Sequence, residues 1–115
     1  MNNIFANPLA VVYSIGMIDF TREQIEKIVK VSRKLQSSEL AGIDLSGADL
    51  WNANLREANL SNATLYKANL SYADLIGSNL SYADLRAANL RAVTLHGANL
   101  RKADLREATY NLATR

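Results

Sequence analysis

His96 is the only imidazole in this chain, and there is no cysteine to join it in metal or nucleophile chemistry. It directly follows Leu95, and the acids around it are dispersed along the chain rather than paired. A hydrolytic triad would have to run through His96, yet no nucleophile-elbow pattern accompanies any of the serines. The glycines fall singly, so no loop is built to cradle a phosphate. No catalytic residue, cofactor or metal ligand is expected, and the chain is read as a non-enzyme. The residues better suited to chemistry are contact-makers: Trp51, Tyr66, Tyr72 and Tyr82, and the late arginines Arg86, Arg91, Arg101 and Arg106. Whether any of them act together depends on the elements that carry them.

Those elements are set by a repeat. Leucine recurs at every fifth position from Leu40 to Leu105, and Tyr110 takes the next place in the series. Two residues before each stands a small or modest side chain, mostly Ala, with Ser38, Ser78, Ile43 and Val93 as the variants. Between the two sits Asp, Asn or Thr, except for Glu39. A period of five fits neither regular element. On a helix it would advance about 500° and leave no stripe. On a flat strand it would throw successive leucines onto opposite faces. Each pentad must therefore hold a corner that resets the direction. All four glycines of the array, Gly42, Gly47, Gly77 and Gly97, fall two residues after a leucine, and Asn52 and Asn62 occupy the same slot; both types tolerate the positive φ of a type II turn.

The Ala-Asp-Leu and Ala-Asn-Leu triplets, at 48–50, 73–75, 83–85 and 103–105 and at 53–55, 58–60, 68–70, 88–90 and 98–100, resemble the pentapeptide-repeat proteins, which are abundant in cyanobacteria. The resemblance covers about two thirds of the chain. It implies an all-β solenoid, a right-handed quadrilateral β-helix with four pentads per coil. Nearly four coils, at the ~4.8 Å spacing of strands, make a stub about 18 Å long. Residues twenty apart then stack. Trp51 lies over Ser71 and beside Tyr72, Tyr66 is on the neighbouring side, and Tyr82 is on another. A surface tryptophan marks a contact patch for another protein, unless the N-terminal segment covers it.

Two units are expected, 1–37 and 38–115. Thr21 with Gln24 fits a capping box, and Ile25, Ile28, Val29, Ser32 and Leu35 fall near helical spacing, so a helix over about 21–36 is expected to cap the first coil. Pro8 to Ile15 fits either a short helix or an added strand. After Tyr110 nothing amphipathic follows. The last coil is expected either to be buried in a homodimer, with Tyr110 and Leu112 at the edge, or to be covered by those two residues folding over it.

Charge argues against a nucleic-acid partner. Arg22, Lys27, Lys30, Arg33 and Lys34 outnumber Asp19, Glu23 and Glu26 before residue 38, whereas the array beyond is neutral. Arg86 and Arg106 share a side with Asp84 and Asp104, which reads as local neutralisation rather than a basic stripe. The apolar stretch Leu9 to Phe20 is broken by Ser14, Gly16 and Asp19, so no membrane span is expected, and a cytoplasmic location is. The expected function is a scaffold that binds another protein. Two alternatives come from the resemblance: a DNA mimic acting on DNA gyrase, which the neutral array disfavours, and a regulator of cyanobacterial cell differentiation.

Overall fold

The computed structural model describes Glu23, residues 34–111, Ala113 and Thr114. From Lys34 onward, every fifth residue forms a parallel bridge with the residue twenty positions on: Lys34 with Asn54, Glu39 with Asn59, and so to Asn89 with Thr109. Twenty residues make one coil, and its four pentads make four sides. Coil one spans 34–53, coil two 54–73, coil three 74–93 and coil four 94–111.

Each bridge residue straddles the coil before it. The Asn59 N–H donates to the Ser38 carbonyl at 2.9 Å, and the Asn59 carbonyl accepts from Leu40 N–H at 2.7 Å. A third inter-coil bond leaves each corner, as from Tyr72 N–H to the Arg91 carbonyl at 2.9 Å. The corners are closed by bonds from each small residue back to the preceding leucine, such as Ala73 N–H to Leu70 carbonyl at 2.9 Å. Only the third residue of each turn has positive φ, which is the type II arrangement. The left-handed conformation is not confined to glycine and asparagine. Tyr72, Tyr82, Lys67 and Glu57 adopt it too, with φ between 58° and 63°. Coil-to-coil hydrogen bonds fix the corner geometry, and the residue there must accept it.

The short polar residue before each leucine acts as an anchor. Asp49, Asn59, Asn69, Asn79 and Asn89, among others, each accept through Oδ1 from the backbone N–H two residues on. Such a local bond is what Asp and Asn side chains do in turns. It explains why this slot holds them. Between coils the same side chains stack, with Asn89 donating to Asn69 and Asn69 to Asp49, each at 3.3 Å.

Inside, the leucines from Leu35 to Leu85 and the alanines two positions before them are almost fully buried. Val93 is buried as well, and Ile43 packs partly against the core, so the two bulkier substitutes are accommodated without breaking a coil.

The ladder begins one rung before its sequence pattern. Leu35 is fully buried, its N–H donates to the Asn54 carbonyl at 2.8 Å, and Lys34 bridges to Asn54. The helix expected over 21–36 therefore does not reach 34–36, and coil one starts at Lys34 rather than 38. Leu35 suits both a helical spacing and the five-residue period, and inter-coil hydrogen bonds decide between them. Glu23 is helical; the rest of that expected helix and Pro8 to Ile15 lie outside the described residues.

Candidate functional site

Outward residues have three places on each pentad: the bridge position and the two corner positions. The corners project furthest, and the aromatic residues are there. Trp51 and Tyr72 occupy one corner column in coils one and two, with ring centroids 6.4 Å apart and planes at 62°, an edge-to-face pair. Trp51 is 44% exposed and Tyr72 62%, while Ser71 between them in the column is buried. Arg91 continues that column in coil three.

Tyr66 and Tyr82 lie on two other corners, so only two of the four aromatic residues meet. Each of the others is paired with cations instead. Lys67 Nζ is 5.2 Å and Arg86 Cζ 5.4 Å from the Tyr66 centroid, and Lys102 Nζ is 5.9 Å from that of Tyr82. The sequence reading did not include Lys67 and Lys102. The twenty-residue spacing from Tyr66 to Arg86 and from Tyr82 to Lys102 carries the signal.

Arg86 and Arg106 are each forked onto the aspartate two residues earlier. Arg86 reaches both Asp84 oxygens at 2.8 Å, and Arg106 reaches Asp104 at 2.6 to 3.1 Å. The Arg106 guanidinium, helped by the Arg106 backbone N–H, holds the Asp104 carboxyl down to about 2. Arg86 likewise lowers Asp84, and each aspartate raises its arginine in return. Arg56 instead reaches across to the next coil, with a single contact to Asp74 at 3.0 Å. These exposed pairs neutralise each other locally.

His96 is exposed at its corner, and its carbonyl accepts the Gly77 N–H at 3.0 Å. Among the described residues no group of three His, Asp or Glu side chains is placed to hold a metal ion. No described helix is long and apolar enough to cross a membrane.

The two ends of the ladder differ. Leu35, Leu40, Leu45 and Leu50 of coil one are buried, whereas Leu95 and Leu100 are half-buried and Leu105 is 41% exposed. Tyr110 holds a leucine position and is 75% exposed. Leu112 lies outside the described residues. Asn111 closes the last corner: its Oδ1 accepts Ala92 N–H at 3.2 Å and Ala113 N–H at 3.1 Å. Thr114 Oγ1 then donates to the Leu90 carbonyl at 2.8 Å.

Pentapeptide repeats, in eight copies, match residues 38–71 and 68–107. The chain belongs to the pentapeptide-repeat family, whose members adopt the right-handed quadrilateral β-helix. Among solved structures it is similar to a pentapeptide repeat protein from the Arabidopsis thaliana thylakoid lumen, at 34% identity and TM-score 0.70 over 72% of this chain and 58% of that one. It is also similar to a pentapeptide repeat protein from the cyanobacterium Nostoc PCC 7120, at 31% identity and TM-score 0.52 over 81% of this chain and 82% of that one. The chain thus spans just over half the length of the Arabidopsis protein. No curated protein matches it.

Proposed function

We propose that this protein is a non-enzymatic interaction module whose rigid corners bind another protein, with Trp51 and Tyr72 at the centre of the contact. The edge-to-face pair carries the reading. Two large aromatic side chains stand 44% and 62% exposed on a backbone held by hydrogen bonds at every corner. Tyr72 does so at φ 63°, a conformation that favours glycine, so the ring is present in spite of the local backbone preference. A pre-ordered aromatic anchor loses little conformational entropy on binding, which is why such residues dominate interface energies. Tyr66 and Tyr82, under their cations, are secondary contact points on other corners.

A homodimer through the C-terminal coil, with Tyr110 and Leu112 at its edge, is part of the same proposal; Tyr110 is exposed and Leu112 lies outside the described residues. The DNA-mimic alternative requires a strongly acidic rod, and the neutral array argues against it. The expected cytoplasmic location belongs to the same proposal and is checked by fractionating source cells.

The test is affinity capture from source-cell lysate with the wild-type chain, Trp51→Ala and Tyr72→Ala, all checked for folding by circular dichroism. A partner retained by wild type and lost, at least tenfold, by both variants supports the reading. Equal capture by all three removes this patch from the interface.

A further inference from the structure

The corner that carries Trp51 and Tyr72 offers a partner side chains but no backbone donor. The N–H groups of Trp51, Ser71 and Arg91 donate to the side chains of Asp49, Asn69 and Asn89. Those of Asn52 and Tyr72 donate to the Ser71 and Arg91 carbonyls, each at 2.9 Å. A strand cannot be added along this corner, because strand addition needs free N–H groups as well as free carbonyls. A single segment binding here must have a backbone that asks for no such pairing, which leaves a helix or a polyproline II segment.

Three side chains able to donate stand around the two rings. Asn52 is beside Trp51, the Tyr72 hydroxyl is at the rim, and Arg91 lies one coil beyond Tyr72; all three residues are exposed. Among the described residues the Asn52 amide, the Tyr72 hydroxyl and the Arg91 guanidinium have no hydrogen-bond or ion-pair partner, whereas Arg56, Arg86 and Arg106 are each held by an aspartate. Ring surfaces flanked by donors suit a ligand rich in apolar rings and unpaired carbonyls and poor in N–H groups. A helix spends its carbonyls internally, while a polyproline II segment leaves them free. The spacing agrees. A three-residue turn of polyproline II rises ~9.3 Å, and two coils rise ~9.6 Å at the ~4.8 Å strand spacing. A ligand residue over Trp51 therefore puts the residue three places away beside Arg91.

We propose that this corner binds a proline-rich segment of another protein in the polyproline II conformation. The segment lies along the solenoid axis, with proline rings on Trp51 and Tyr72 and an acidic residue, three places from the proline on Trp51, against Arg91. This rests on the interaction-module reading and supplies its class of partner. Proline rings pack on aromatic surfaces, and the segment is ordered before it binds, so little conformational entropy is lost. Tyr66 and Tyr82 do not offer the same site, because each is met by a cation rather than by a second ring.

Trp51 is the only tryptophan, so its emission reports on this corner directly. The experiment titrates the full chain with a nine-residue peptide of proline carrying one glutamate at its seventh place, followed by Trp51 emission and by calorimetry. Comparison peptides carry lysine in place of the glutamate, glycine in place of alternate prolines, or the same glutamate in an alanine-rich helix. The proline–glutamate peptide is expected to bind and to shift the emission, with an affinity that falls as salt screens the exposed charges. The lysine and glycine peptides should each bind at least fivefold more weakly. Arg91→Glu should reverse the preference between glutamate and lysine. Tyr72→Gly, which suits the φ of 63° at that corner, should keep the fold and weaken binding at least fivefold. The proposal is overturned if neither readout detects the proline–glutamate peptide, if the lysine peptide binds the wild type equally, or if the helical peptide binds as tightly. Should the peptide fail while Trp51→Ala and Tyr72→Ala still lose a captured partner, the aromatic patch stands and the proline-rich partner is rejected.

Discussion

Ser78 carries a side-chain oxygen that is fully enclosed and has no hydrogen-bond partner among the described residues. It sits in the slot that alanine fills in most pentads, with the Ala58 carbonyl engaged by Asn79 rather than by the hydroxyl. A buried, unsatisfied hydroxyl costs about 1–3 kcal/mol. Ser78→Ala should therefore raise stability by about 1 kcal/mol, read as a higher denaturant midpoint with unchanged slope. A lower midpoint would mean that the hydroxyl is bonded in solution. Asp104 makes a pH prediction. Its folded-state value of about 2 lies below the ordinary carboxylate value of ~3.9. Its contribution to stability is present above about pH 4 and is lost as pH falls toward 2. A carbon-detected NMR titration should place the Asp104 midpoint near 2 in the wild type and higher in Arg106→Gln. Identical midpoints would rule out the forked arginine as the cause.

At the scale of the element, one leucine per pentad does the same job at every rung but in different surroundings. Leu70 is sealed between coils, so Leu70→Ala loses transfer energy and leaves a cavity, costing about 2–5 kcal/mol. Leu105, 41% exposed in coil four, already gives up part of its burial. Leu105→Ala should cost about 1 kcal/mol or less, and equilibrium guanidinium unfolding of the two variants separates the cases. Equal losses would show that the edge of coil four is covered in solution. The pentad itself was legible because side-chain type tracks its job: leucine for the core, alanine where the chain passes inward, Asp or Asn to bond the corner N–H. The corner was only half legible. Gly42 and Asn62 announce positive φ, whereas Tyr72 and Lys67 share it with no local sign. At those positions the hydrogen bonds of neighbouring coils override residue preference.

For the whole molecule, the twenty-residue coil converts a linear list into four faces, and the candidate surfaces exist only on those faces. Trp51 and Tyr72 are brought together by stacking, as are Tyr66 with Arg86 and Tyr82 with Lys102. Leu35 shows the limit of reading by period alone. It satisfies the helical spacing of the segment before it and the five-residue spacing after it, and inter-coil hydrogen bonding assigns it to the ladder.

The repeat, the solenoid and its leucine core were determined by the sequence alone, since each inward position is a local choice repeated without interruption. The family follows from the same triplets. The tertiary structure decided which outward residues touch and which core leucines are sealed between coils. Those properties depend on contacts between residues some twenty positions apart. No single pentad encodes either.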